Sequence, residues 1–226
     1  MGEVFNMDVV RRIILVVPAL LIAASFHEFA HGWVADRLGD PTARHMGRLN
    51  LNPIRHIDPF GSILLPLLLV LSQSGFLFGW AKPVPVNSFN LNHPKSGMAW
   101  VAAAGPISNF SLAFSGALFL KLLLPLVIHV KFIAEPVMGF FTYFIYINLL
   151  LGIFNLMPVP PLDGGRIAVG LLPDNIAERW AAIEPYGMWI ILILFMFDPI
   201  GIWPKVLGPV IHTLANLLIS FAGLHG

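Results

Sequence analysis

His27, Glu28 and His31 are two imidazoles and a carboxylate set within five consecutive positions. They stand in "SFHEFAHGW", residues 25–33. On a helix, side chains four positions apart lie on one face, one turn apart, so both imidazoles can reach one ion. Two neutral imidazoles suit zinc, at about 2.0–2.1 Å per bond. Glu28 occupies the place where zinc hydrolases with H-E-x-x-H keep their general base. The stretch ends an apolar run that includes Ile13, Leu15, Val17, Leu20 and Ile22. Ionisable groups at membrane depth are costly and by default mark a functional site. The bland alternative is a pair of packing histidines with the glutamate bonded to one of them. It leaves three ionisable groups in an apolar helix without a purpose.

A catalytic zinc needs a third protein ligand and an open position for water. The chain has no cysteine, so that ligand must be His, Asp or Glu. Glu3, Asp8, Asp36, Asp40 and Asp58 fall in tails or loops, and Asp174, Glu178 and Glu184 in a polar connector. Asp163 differs: it sits in "FNLMPVPPLDGGRI" at the end of an apolar run. Pro158, Pro160 and Pro161 stop the preceding helix, and Gly164 and Gly165 allow a tight turn with close backbone approach. Irregular backbone at membrane depth survives only against protein or a water-filled cavity. Taken alone, Asp163 would read as a helix cap or a D-G turn. With His27 and His31 lacking a partner, it becomes the candidate third ligand.

Of 226 residues, 57% are hydrophobic and 11% charged, and mean hydropathy is +0.81. Soluble domains hold about 45–50% apolar and about 25% charged residues, so an integral membrane protein is expected. A net charge of +1 offers no basic surface for nucleic acid. The sequence predicts an all-α polytopic membrane protein, one domain over 1–226. It has about five transmembrane helices, near 10–36, 97–123, 136–157, 186–203 and 206–223, plus a re-entrant segment near 60–86 with short extended strands. Re-entry follows from the site itself. His27 and His31 sit toward the C-terminal end of the first helix and Asp163 follows the C-terminal end of the 136–157 helix, so for these ends to meet an even number of crossings must separate them. The spans 97–123 and 136–157 supply two, and a spanning 60–79 would make three. With that topology Arg37, Arg44, Arg48, Arg55, Lys82, Lys95, Arg166 and Arg179 share one side. Arg11, Arg12, Lys121, Lys131 and Lys205 share the other. The richer side is the expected cytoplasmic face, and the site lies toward it.

"SFHEFAHGWVA" with "NLMPVPPLDGG" resembles the site-2 protease family of intramembrane zinc metalloproteases, which pairs H-E-x-x-H with N-x-x-P-x-P-x-L-D-G. "AAAGPISNF", "GWAKPVPVN" and "LNPIRHIDPFGSILLP" are similar to its compact bacterial branch. The resemblance implies one zinc per chain on His27, His31 and Asp163, with Glu28 as base. It implies that Asn155 lies near the metal and holds substrate or the oxyanion. It further implies a bacterial plasma-membrane enzyme in the lipid bilayer, cutting membrane proteins in or near a transmembrane segment. No PDZ, CBS or zinc-finger-like insert interrupts the 226 residues.

Asn109, within the tract of small residues Ala102, Gly105 and Ser108, is the polar residue there that could reach the site, as a second substrate or oxyanion candidate. Extended "WAKPVPVN" could give an unwound substrate an edge to pair with, or fold over the site as a loop. His45, His56 and His93 fall in polar loops and are expected to be solvated, with His56 a weaker candidate for supporting the site. His129, His212 and His225 sit near span ends. A membrane peptidase with glutamate as third ligand would need Glu135, Glu178 or Glu184 in a better context. A bis-histidine haem protein needs neither Glu28 nor an Asp-Gly turn, and a metal transporter favours more acids within its spans.

Overall fold

The structure is a computed structural model that describes residues 7–64, 68, 81–198 and 201–224. Three long helices form its frame: α1 (Met7–Arg37), α3 (Pro94–Val127) and α4 (Lys131–Asn155). A short α2 (Thr42–His45) follows α1. The C-terminal third adds α5 (Asp163–Leu171), α6 (Asp174–Ala181), α7 (Glu184–Phe197) and α8 (Gly208–Phe221). Single 3-10 turns stand at Pro53–His56 and Ser88–Asn90, and wider π turns at Pro59–Leu64 and Trp203–Leu207.

The helices α1, α3 and α4 contain 31, 34 and 25 residues. At about 1.5 Å per residue each exceeds the roughly 30 Å of a bilayer's hydrocarbon core. They are the three helices long and apolar enough to cross a membrane among the described residues. Phe114, Phe119, Leu122 and Leu126 project from α3 into the surroundings, as lipid-facing residues do and as a water-soluble surface avoids. The protein is a helical membrane protein.

Helix α3 is central and packs on α1, α4 and α5. Ala113 and Ala117 of α3 meet Ile145 and Leu149 of α4 and Ile211 and Ala215 of α8 in the main core. Small residues permit this approach without a hydrophobic drive between helices in lipid. Gly116 shows the tolerance: a Cβ there would lie 2.8 Å from the Phe144 ring. A second core joins Ala35 of α1, Val101 of α3 and Leu91. Helix α5 lies along the start of α3, Gly170 against Ala99, and Lys95 bonds the Leu172 carbonyl at 2.6 Å.

Several expectations change here. Helix α7 ends at Phe197, short of the expected 186–203 span, because Asp198 adopts a left-handed backbone (φ 36°). Its carboxylate accepts from the Ile202 and Trp203 amides at 2.6 and 3.3 Å, capping the next turn. At 14 residues α7 is about 21 Å long, less than a bilayer core. Helix α8 also has 14 residues, though the Trp203–Leu207 turn runs directly into it. No strand occurs among the described residues. Residues 81–87 are neither helix nor strand, and they are held by side chains and loops. Most of the expected re-entrant segment, 65–67 and 69–80, lies outside the described residues.

A buried carboxylate ties the loops together at the end of α1. Asp40 is fully buried. It accepts from the amide and hydroxyl of Thr42, from the Asn87 amide at 2.6 Å and from Asn90 Nδ2 at 3.0 Å. Burial alone would push its carboxyl up. The hydrogen bonds from Thr42, Asn90 and Asn87 outweigh that and hold it below the usual carboxylate range.

Candidate metal centre

Helix α1 presents His27 and His31 one turn apart, with ring centroids 4.6 Å apart and planes at 87°. Asp163 comes from the first turn of α5, across a sharp reversal from α4. The Met157–Leu162 turn is closed by backbone bonds from Val159 to Met157 (2.7 Å) and from Leu162 to Val159 (2.9 Å). Gly164 and Gly165 are required by contact: a Cβ on either would strike the backbone of Leu156–Met157 or Val159–Pro160. The reversal turns the Asp163 carboxylate into α1. Its Oδ2 lies 3.1 Å from His27 Nε2 and 3.4 Å from His31 Nε2. Asp163 is therefore neither a cap nor the end of a helix; it opens one. Gly105 of α3 closes the remaining side. A Cβ there would sit 2.5 Å from His27 Cε1 and 2.6 Å from both His27 Nε2 and His31 Cε1.

The donor set fits a cation. His27 Nδ1 pairs with Asn109 Oδ1 at 2.6 Å, and His31 Nδ1 with the Val101 carbonyl at 2.7 Å. Both oxygens only accept, so each Nδ1 carries the ring proton. Each Nε2 of a neutral ring then offers a bare lone pair toward Asp163. Asp163 Oδ2 is buried and has no hydrogen-bond donor. Three acceptor atoms with no proton between them repel unless a cation joins them. Their mutual separations stay within 4.8 Å, and the two Asp163–histidine edges, 3.1 and 3.4 Å, match the about 3.3 Å edge of a tetrahedron with zinc-length bonds. His27, His31 and Asp163 could hold a metal ion.

Glu28 faces elsewhere. Its Oε2 accepts from the Val84 amide at 2.7 Å. Val84 lies between Pro83 and Pro85, in a strap (residues 81–87) pinned at both ends. The Lys82 amide bonds the His56 carbonyl at 2.8 Å, Arg48 bonds the Lys82 carbonyl at 3.0 Å, and the Asn87 amide bonds Asp40.

The two asparagine expectations meet different geometries. Asn155 ends α4, half-buried, and its Nδ2 turns back on the Leu151 carbonyl at 2.9 Å. Asn109 touches His27 from behind. It is fully buried, and its Nδ2 is engaged by the Ala23 carbonyl at 3.3 Å and by Asn148 Oδ1 at 2.9 Å. Both polar atoms of the Asn109 side chain are thus bonded within the protein. His56 is buried rather than solvated, its Nε2 donating to the Asn50 carbonyl at 2.8 Å. It supports the strap and not the metal ligands. His45, His93 and His129 are exposed, and His212 meets the Tyr146 hydroxyl at 3.3 Å. Sequence reasoning missed Asn148 and the Val84 amide. The signal for Asn148 was an unexplained amide in the apolar run "IYINLLLG".

Comparison with known proteins gives the family. Residues 15–196 match the model of peptidase family M50, a span that contains all four motif residues. The chain is 42% identical over 196 residues to the Bacillus subtilis protein named "Putative zinc metalloprotease YwhC", 84% of each chain being covered. It is 28% identical over 196 residues to "Putative zinc metalloprotease Rip2" of Mycolicibacterium smegmatis, covering 84% of this chain and 70% of that one. The Mycobacterium tuberculosis protein of the same name is 26% identical over 190 residues. No solved structure matches. The chain belongs to peptidase family M50, the site-2 protease family. It is a zinc metalloprotease.

Proposed function

We propose that this metalloprotease hydrolyses peptide bonds in or near transmembrane segments of membrane-protein substrates, with zinc on His27, His31 and Asp163 and with Glu28 as general base. The observation that carries the reading is the meeting of three bare acceptor atoms, two on the membrane-length helix α1 and the third on the short helix α5, with Glu28 beside the first of them. Zinc bound there would supply Lewis-acid activation of water and of the scissile carbonyl. Glu28 accepts the proton of the attacking water and returns it to the leaving amine. To reach that water its carboxylate exchanges the Val84 amide for the water's proton. Asn155, at the end of α4, is the candidate second donor to the oxyanion.

A helical substrate hides its carbonyls in its own hydrogen bonds, so it must unwind locally to be cut. The strap, bonded to Glu28 through the Val84 amide, offers the unwound segment an edge. Pro83 and Pro85 lack donors, and the Lys82 and Val84 amides already face inward, so that edge is partial. The full topology in this reading has about five crossings, in a bacterial plasma membrane with the site toward the cytoplasm.

The test is Glu28→Gln in proteoliposomes with a single-span substrate. Zinc content stays at one per chain, while cleavage falls by about 10²–10⁴-fold, the usual share of a general base. Undiminished cleavage by that variant would overturn the mechanism.

A further inference from the structure

Behind His27 lies a line of side-chain amides that neither zinc ligation nor general-base catalysis accounts for. Asn148 Nδ2 donates to the Phe144 carbonyl at 2.8 Å. Asn148 Oδ1 accepts from Asn109 Nδ2 at 2.9 Å, and Asn109 Oδ1 accepts from His27 Nδ1 at 2.6 Å. Asn109 Nδ2 also donates to the Ala23 carbonyl, one turn before His27 on α1. Both asparagines are fully buried, and the line crosses from α4 through α3 to α1. Its direction is fixed at two points by groups that only accept. If Asn109 were flipped, its oxygen would face the Ala23 carbonyl. If Asn148 were flipped, its oxygen would face the Phe144 carbonyl. Each would place acceptor against acceptor in an apolar interior, where an unmatched polar group is costly.

We propose that Asn148 is a positioning residue for the metal site: acting through Asn109, it locks His27 in the tautomer protonated at Nδ1 and turns a bare Nε2 toward the metal. Asn148 touches neither ligands nor substrate and sits 39 positions from Asn109. Its effect on His27 therefore passes through the Asn109 amide. The second histidine needs no such relay, because His31 Nδ1 donates directly to a main-chain carbonyl. The two ligands thus differ in how far a side-chain substitution can reach them.

The proposal rests on His27 as a zinc ligand, and zinc affinity measured against a competing chelator, in detergent-solubilised full-length protein, tests both. Outer partners of ligating histidines typically change metal affinity by about 10–100-fold, so Asn109→Leu should weaken zinc by that factor. Asn148→Leu should weaken it about 3–10-fold, and the double variant should be no weaker than Asn109→Leu within about twofold, because both changes cut one line. Asn148→Asp should bind as wild type does. A carboxyl in that apolar site stays neutral and can still donate to Phe144 and accept from Asn109. Wild-type affinity in Asn148→Leu, or additive losses in the double variant, would overturn the relay. Should Asn148→Leu not fold, ¹⁵N-histidine magnetic resonance on the unaltered protein decides: His27 protonated at Nδ1 supports the relay, and protonated at Nε2 refutes it. If His27→Ala binds zinc as well as wild type, the ligand reading itself fails. Loss in His27→Ala without loss in Asn148→Leu removes only the relay.

Discussion

His27 and Glu28 are neighbours in the chain, yet they are held in opposite ways. His27 is fixed from behind by amides on two other long helices, all of it buried. Glu28 is held by one backbone amide of an irregular strap that also covers it. The difference corresponds to two tasks. Metal ligands work best when they are already in place, because their orientation sets the metal's geometry. A general base must meet a proton that arrives with substrate, so its resting partner has to be one it can leave. Rigid helices suit the first task, and a loop pinned at its ends suits the second.

Substitutions on the two sides should separate accordingly. The largest effect is expected for Asp163→Ala, which removes the one ligand not on α1: purified protein should hold little zinc by elemental analysis and cleave no substrate. Zinc content equal to wild type would remove Asp163 from the ligand set. Gly105→Ala comes next. A methyl 2.5–2.6 Å from both rings forces them apart, so zinc affinity should fall at least as far as for an outer-partner change, about 10-fold or more. On the other side, Val84→Pro deletes the donor to Glu28. Zinc affinity should stay within about twofold of wild type while cleavage drops several-fold, because only the base loses its anchor. Equal losses of zinc and cleavage in that variant would erase the distinction between the two regions.

The smallest effect concerns the strap's far anchor. Asp40→Asn weakens a buried carboxylate's bonds to Thr42, Asn87 and Asn90, about 1.5–3 kcal/mol by the usual worth of charged hydrogen bonds. The folded state holds the Asp40 carboxyl below its unfolded value of about 3.9. Its contribution is therefore fully present above that value and is lost as pH falls through the folded one. The stability gap between wild type and Asp40→Asn should narrow below about pH 4 in thermal unfolding. A gap constant with pH would remove Asp40's charge from the account.

The metal end was the more legible in the sequence, for a physical reason. His27 and His31 announce themselves by helical spacing, and Asp163 by standing among prolines and glycines in an apolar context. Ligand chemistry restricts residue types, so it leaves a pattern. Supporting contacts restrict them less. The Val84 amide is backbone and invisible in side-chain identity. Asn148 could have been noticed only as a lone amide in a span. Asn109 was visible as a polar residue near the site, but its direction depended on Asn148 and Ala23, partners 39 positions later and 86 earlier. The long helices were legible because length and hydropathy suffice for a span. The end of α7 was not, since it turns on one left-handed residue, Asp198, within an otherwise apolar run.

Helices α1 and α5 preform a two-imidazole, one-carboxylate zinc site that does not depend on its base. X-ray absorption on zinc-loaded Glu28→Gln measures this. Two imidazole nitrogens are expected at about 2.0–2.1 Å with oxygen donors completing the shell, unchanged from wild type. A different imidazole count, or a shell altered by the loss of Glu28, would refute a preformed site.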